Sequence, residues 1–406
     1  MQQVAKTVPF AAKQTRTEFP VLLDRVRELK PIFRDSARDT ETNRRVSKKT
    51  MDLLRDAELT KLVRPARFGG FEYGLTELAQ IAFELGSVCG STGWCGSLAM
   101  CYQWMTSFFP LEGQRDVWSD PDNLVAGSYN PSKECEIVPG GIKLAGTWAY
   151  ASNCENSQWI MLGALLQNAK GPPDVMWCLV PMADAVVDQD TWFTSGLQGT
   201  GSKTVRIDKP VFVPDHRMMR FADIVAGTVP GRNIENNNMS RFGFTTFGPT
   251  ALVAPILGMA QGALDAFIHL AQTKVRAAKP GMVVPMANSP MVQNKIGAAS
   301  ATIESALALL LASVTAAEDK VRRGVPLEIG ERVAIRRNQG FAAKQSVAVV
   351  NDLFAKEGAA GSDLAAPLQR FWRDVNAAAL HLSLDWEAIA AMYGQHKLGL
   401  DPVGLY

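Results

Sequence analysis

Between Gly146 and Trp159 the chain reads GTWAYASNCENSQW. Bulky and small residues alternate there as in a strand, which puts Trp148, Tyr150 and Ser152 on one side before the polar corner SNCENS. Two aromatic rings followed by a hydroxyl are the materials for holding a flat ligand by its faces and by one hydrogen bond. Alternation alone describes the core side of a strand equally well, and the polar corner is what draws the reading toward a ligand. The four histidines divide in the same way. His216 and His269 stand in no motif and read as structural. His396, in YGQHKLG beside a glycine stop and a lysine, reads as a cap of the last helix. His381, in VNAAALHLSLD, is a lone imidazole on a helical stretch, ordinarily a packed or solvated residue, whose unperturbed pKa of about 6.5 also suits proton transfer. Asp385 and Glu387 offer carboxylates nearby, at a spacing around Trp386 that also fits a solvated helix face. The six cysteines form no CxxC pair and have no histidine at ligand spacing, so buried free thiols and no metal are expected.

These residues must be positioned by a sizeable fold. A chain of 406 residues is long enough for two or three structural domains and a large core. With 47% hydrophobic and 20% charged residues, the composition excludes disorder and fibrous repeats. The net charge of +2, with no free-standing Lys/Arg block, excludes an electrostatic case for nucleic acid. No uninterrupted apolar run reaches the roughly 20 residues of a membrane span, and the first segment lacks the apolar centre of a secretory signal. A cytoplasmic protein without a membrane partner is expected.

Three compositional blocks follow one another. Residues 1–123 carry helical apolar spacing in VLLDRVRELKPIF, KKTMDLLRDAELTKLV and the long run from Leu75 to Phe109. Residues 124–225 change to short strands, the clearest being KLAGTWAYAS, QWIMLGALL, VMWCLVPM and SKTVRIDKPVFVP, and predict a small antiparallel β domain. Residues 226–406 return to long Ala- and Leu-rich helices, running to TKVRAA near 278 in the first and from Leu368 to Lys397 in the last. Small residues on several faces of these helices predict close packing within or between chains.

Helices, a compact β domain and a bundle of four long helices, in that order, resemble the acyl-CoA dehydrogenase fold. LQGTGSKTVRIDKPVFVP resembles that superfamily's glycine-rich turn and serine before a strand ending in a VP corner. GTWAYASNCENSQW is similar to its flavin-facing strand, and LQRFWRDVNAAALH to its R-x-x-RD helix start. Dehydrogenases of the superfamily often place a glutamate about two turns after RD, whereas this chain offers His381. That substitution, with the S-x-GW-like STGWCGS, resembles the reduced-flavin-dependent aromatic monooxygenases, the branch of the p-hydroxyphenylacetate hydroxylase oxygenase component.

The resemblance implies an oxygenase component that hydroxylates a phenol or another electron-rich aromatic, such as an indole, through a flavin hydroperoxide formed from O2. That species survives only where water is kept away, and Trp94, Trp148 and Tyr150 are the implied apolar walls. Ser152 would meet flavin N5 or a substrate hydroxyl, and His381 would act as the base that draws the phenolic proton. Ser128 is implied as a flavin contact, Gly199 and Ser202 of the GTGS turn as donors to an anion, and Arg276 as the arginine that reaches a flavin phosphate from a neighbouring subunit. Reduced FMN or FAD would come from a separate NAD(P)H:flavin reductase, since no G-x-G-x-x-G follows a strand and opens a helix here. A homotetramer, with a dimer as minimum, is implied. The alternatives are an acyl-CoA dehydrogenase with a relocated base, or an N- or S-oxygenase of the same fold.

Overall fold

The computed structural model describes residues 16–406 apart from 168–171, 236 and 280–281, and the side chains of 276–279, 282 and 360 lie outside that description. Among the described residues the first block holds six α-helices: α1 (Phe19–Asp35), α2 (Ala37–Thr42), α3 (Lys48–Asp56), α4 (Leu75–Gly86), α5 (Gly90–Thr106) and α6 (Leu111–Val117). The run from Leu75 to Phe109 is two helices. Cys89 is extended, and its thiol accepts from the Thr92 amide, so the chain turns and α4 packs back on α5. All 17 residues of α5 are buried, as expected of a helix that is apolar or small on every side.

The middle block holds β1 (Val125–Ser132), β2 (Cys135–Val138), β3 (Gly141–Ala151), β4 (Trp159–Leu166), β5 (Asp174–Pro181), β6 (Val186–Asp188), β7 (Lys203–Pro214) and β8 (Met218–Arg220). They form two four-stranded sheets, ordered β1-β4-β5-β8 and β2-β3-β7-β6. Pairing is antiparallel throughout except for β1 and β4, which run parallel. Strand β4 is buried on both faces, and its alternation assigns them. Trp159 and Met161 join the helical core, while Ile160 and Leu162 join a second core shared with Ile142, Leu144, Trp148 and Val205.

The last block holds α7 (Phe221–Ala226), α8 (Phe244–Phe247), α9 (Thr250–Thr273), the hairpin β9 (Val275–Lys279) and β10 (Met282–Pro285), then α10 (Pro290–Arg322), α11 (Ile329–Phe354), α12 (Pro367–Ala378) and α13 (Trp386–Lys397). Two expectations change here. Lys274 is extended, so the VRAAK segment that reads as a helix end is a strand, in keeping with the β-branched Val275, Val283 and Val284. The stretch from Leu368 to Lys397 is broken by a turn, and the Asp385 side chain opens α13 by accepting from the Glu387 amide at 3.1 Å. His381 therefore lies in a turn and not on a helix.

Among the described residues two helical segments are long and apolar enough to cross a membrane, counted with their few charges: 244–273 and α10. The first is 78% buried within the fold, whereas α10 is only 22% buried across its apolar window.

Candidate active site

Three segments meet at the indole of Trp94 on α5. Trp94 Nε1 donates to Ser152 Oγ at 3.3 Å, and its ring lies 6.1 Å from that of His381, centroid to centroid. Ser152 continues inward to Ser202 Oγ at 2.7 Å, Ser202 to Thr200 Oγ1 at 2.7 Å, and Thr200 donates to the Leu197 carbonyl at 2.8 Å. The β3 corner, the 195–202 loop and the turn after α12 are thus brought to one indole.

The chain bends sharply to put Ser152 there. Tyr150 has φ of +65°, and the β3–β7 register shifts between Trp148 and Ala151. A bulge of this kind turns successive side chains off the period of two. Trp148 stays fully buried and donates from its indole to the Gly163 carbonyl at 2.8 Å. Tyr150 swings out to 68% exposure, edge-on to Trp192, and Ser152 turns in toward Trp94.

The 195–202 loop is fixed from several sides. The buried Asp374 carboxylate on α12 accepts from the Leu197 amide at 2.6 Å, and Arg373 pairs with Glu41 at 2.5 Å and donates to the Ser195 carbonyl. Burial pushes the Asp374 carboxyl up to about 6. Cys95 and Cys154 direct their thiols at the carbonyls of Thr200 and Gly201. A Cβ on Gly199 would come within 2.5 Å of Thr40 Cγ2, and Gly201 has φ of +54°, so each glycine is required by packing or by the turn itself.

His381 is held differently. It is exposed, and its Nδ1 accepts from the Ser383 amide at 3.2 Å. A neutral ring so bonded carries its proton on Nε2 and offers a donor there. The Ser383 carbonyl in turn accepts from the buried Arg336 at 2.7 Å, and Arg336 also reaches Gln339 Oε1 and the Leu405 carbonyl. Desolvation by the surrounding protein and the Arg336 charge both pull the His381 pKa below the ordinary histidine value.

With this geometry in place, the comparisons with known proteins decide the family. The acyl-CoA dehydrogenase C-terminal domain family matches residues 250–386. The oxygenase component of an FADH2-dependent resorcinol hydroxylase from Rhizobium sp. (strain MTP-10005) is 38% identical over 393 residues, 95% of this chain and 96% of that protein. The crystal structure of the HsaA monooxygenase from M. tuberculosis superposes with a TM-score of 0.88 at 30% identity, covering 96% of this chain and 99% of that one. XiaF from Streptomyces sp., in complex with FADH2 and glycerol, superposes with a TM-score of 0.85 at 27% identity, over 95% of this chain and 97% of that one. The chain belongs to the flavin-dependent monooxygenases of the acyl-CoA dehydrogenase fold. It is an oxygenase component that works with reduced flavin.

Within this oxygenase the residues expected to line the site separate. Trp94, Ser152, Ser202 and His381 come together. Trp148 does not, because the bulge leaves it in the core between the sheets. Tyr150 faces outward beside Trp192, an exposed ring suited to a flat ligand. The Ser128 hydroxyl donates to the Ala149 carbonyl at 2.6 Å and ties β1 to β3, so its hydrogen is not free for a cofactor. Gly199 packs against α2 and α5, and the amides of Thr200, Gly201 and Lys203 bond within the turn, which makes it a packed corner rather than an anion cradle. Arg276 sits on β9, and its side chain lies outside the described residues. Asp385 caps α13 and Asp374 is bonded to Leu197, so both carboxylates are engaged in structure. Thr200 and Arg336 are the site residues that sequence reasoning missed. The residues present at Trp94 fit a reduced flavin: an indole beside it, and at Ser152 a buried hydroxyl with acceptor capacity left over.

Proposed function

We propose that this oxygenase places one atom of O2 on a phenol, or on another electron-rich aromatic such as an indole. The observation that carries the reading is the meeting of Ser152 and His381 at Trp94, the serine on its indole N–H at 3.3 Å and the imidazole 6.1 Å from its ring, which offers the serine to the flavin and the histidine to the substrate oxygen. When bound, reduced flavin supplies the centre that reacts with O2. Trp94 excludes water from it, and Ser152 holds its N5 edge. His381, kept neutral, handles the phenolic oxygen. Its resting tautomer presents Nε2–H, which suits holding a phenolate by a donated hydrogen bond. Drawing the proton in one step would first need the Nδ1–H tautomer and release of the Ser383 amide, so the base role expected from the sequence becomes the more demanding variant of the same assignment.

A separate NAD(P)H:flavin reductase delivers the cofactor. Reduced FAD, named for the Rhizobium resorcinol hydroxylase, is the first form to test, with reduced FMN beside it. The apolar and largely uncovered α10 supports a homotetramer, with a dimer as minimum, in which Arg276 reaches a flavin phosphate of a neighbouring subunit. The setting proposed is the bacterial cytoplasm. The three sequence blocks, 1–123, 124–225 and 226–406, are proposed as its domains. The test is to supply reduced FAD or FMN under 18O2 with resorcinol, p-hydroxyphenylacetate or indole-3-acetate. One 18O atom in the product is expected, and flavin consumption with only hydrogen peroxide from every aromatic tried would sink the reading. Sedimentation giving an active monomer would remove the tetramer and the role of Arg276.

A further inference from the structure

The chain of hydroxyls behind Ser152 has a direction, and valence fixes it. A carbonyl oxygen only accepts, so the 2.8 Å contact between Thr200 Oγ1 and the Leu197 carbonyl takes the Thr200 hydrogen. The hydrogen in the 2.7 Å contact between Ser202 and Thr200 must then belong to Ser202, and that between Ser152 and Ser202, also 2.7 Å, to Ser152. Reversing the order would leave two lone pairs facing each other at Leu197. An indole N–H only donates, so Trp94 takes one lone pair of Ser152. What remains on Ser152 is a single lone pair. Ser152, Ser202 and Thr200 are 7%, 5% and 1% exposed, which keeps bulk water from scrambling the order.

We propose that Thr200 and Ser202 make this oxygenase select reduced over oxidised flavin, by fixing Ser152 as an acceptor. The inference rests on the proposed placement of Ser152 at flavin N5. A reduced isoalloxazine carries hydrogen on N5 and satisfies the free lone pair. An oxidised one has a bare N5 lone pair, and Ser152 has no hydrogen to offer it. Thr200 and Ser202 touch no flavin atom in this scheme and act as positioning residues. The device fits an enzyme that must take up one redox state from a diffusing donor and release the other.

The test is the ratio of dissociation constants for oxidised and reduced flavin, measured on the full chain by anaerobic titration with FAD and with FMN. The parent binds the reduced form more tightly. Thr200→Val removes the terminal acceptor while the Leu197 carbonyl keeps the residue-200 amide at 3.0 Å and the Trp192 N–H at 3.2 Å, so the loop has reason to stay in place. The Ser202 hydrogen can then turn to Ser152, and the Ser152 hydrogen becomes free for a bare N5. Ser202→Ala frees it directly and serves if the valine variant does not fold. Both are expected to tighten oxidised flavin and lower the ratio roughly tenfold, about the worth of one hydrogen bond. The potential of the bound flavin should move negative by about 30 mV, the tenfold equivalent for a two-electron couple. Ser152→Ala separates the two ideas. If it lowers the ratio while folded Thr200→Val and Ser202→Ala leave it within about twofold, the directional chain is overturned and the N5 contact stands. If Ser152→Ala leaves the ratio unchanged, the placement of Ser152 at N5 falls, and the inference with it.

Discussion

The two hydrogen-bonding groups beside Trp94 are held in opposite ways. Ser152 sits in a buried corner whose hydroxyl hydrogens are all engaged, against the 195–202 loop, which is pinned by Asp374, Arg373 and two thiols. His381 stands in an exposed turn, secured by one 3.2 Å contact to its own segment and, through Ser383, by Arg336. Leu380 and Leu382 on either side of it are about as exposed as side chains in an extended peptide, at 85% and 86%. A cofactor presents the same edge at every turnover, so a fixed hydrogen-bond pattern suits it. An aromatic substrate brings its own shape, and a turn with open neighbours can adjust to it at little cost. The contrast predicts that changes at the serine corner alter which flavin binds, while changes at the histidine turn alter what happens to the aromatic.

The largest effect should come from His381→Ala. Product formation is expected to slow by roughly 10²- to 10⁴-fold, the usual contribution of a positioned proton-handling group. Reduced flavin should still be consumed by O2 at a near-normal rate, with hydrogen peroxide released in place of product. Coupling, measured as product per reduced flavin, should partly recover at high pH, where the phenol is already ionised. His381→Gln sharpens the assignment, because it keeps an N–H donor and cannot accept the proton. A smaller loss than in the alanine variant marks a phenolate-holding donor, and an equal loss marks proton abstraction. Unchanged coupling in both variants from pH 6 to 9 would remove His381 from the site.

Arg336 comes next, because it acts on His381 through Ser383. Its guanidinium helps hold the histidine pKa down, so in the parent the neutral ring persists to lower pH. Arg336→Met removes that charge, and the acid limb of product formation should move to higher pH. The variant also loses charged hydrogen bonds to the Ser383 and Leu405 carbonyls, each worth about 1.5–3 kcal/mol, which denaturant unfolding would register. Arg336→Lys keeps the charge without the planar fork. It should leave the acid limb near the parental position while losing stability, whereas a purely structural arginine would leave the limb unmoved in Arg336→Met as well.

The serine corner offers a smaller test, in stability rather than turnover. Burial raises the Asp374 carboxyl from 3.8 to about 6, so the folded state binds this proton more tightly than the unfolded chain. The ionised form is therefore a penalty, absent below about pH 4 and complete above about pH 6, worth about 3 kcal/mol at 1.36 kcal/mol per unit. Glu318 behaves alike, raised to about 7 where it accepts from the Leu75 and Thr76 amides. Asp374→Asn keeps an acceptor for the Leu197 amide and removes the charge. Thermal unfolding between pH 4 and 8 should then fall less steeply with rising pH, with the Glu318 share remaining. A slope identical to the parent would show that Asp374 is ionised without penalty.

How much of this was legible in the sequence follows from the range of each interaction. Helical and strand periods come from neighbours in the chain, and they marked the order of helices, sheets and bundle. The breaks came from single residues whose surroundings still looked periodic: Cys89, Lys274 and the turn before Asp385. Tyr150 shows the same limit at the site. A non-glycine residue at positive φ gives no sequence signal, and it turned a one-sided strand into a buried Trp148, an outward Tyr150 and an inward Ser152. His381 and Trp94 were proposed through resemblance, because their motifs are local. Thr200 and Arg336 were missed because their meaning lies in partners far along the chain. Nothing in IRRNQG says which arginine is buried against a turn near residue 383.

The smallest expected effect completes the comparison. His396 lies in the last turn of α13, half-buried, with Nε2 over Gly330, where an added Cβ would come within 2.7 Å of it. It shares no ring contact with Trp94 and no hydrogen bond with the Ser383–Arg336 link among the described residues. His396→Asn should therefore change stability by about 0.5 kcal/mol at most, the range of surface substitutions, and leave both coupling and its pH profile at parental values. The two histidines are in the same C-terminal segment and differ chiefly in what the turn at 379–385 does with them. If His396→Asn uncoupled flavin consumption from product as strongly as His381→Ala, the effect would have to pass through α13 as a whole. The open turn would then be no more than one part of a larger moving element, and the contrast between a fixed cofactor corner and an adjustable substrate turn would have to be redrawn around that helix.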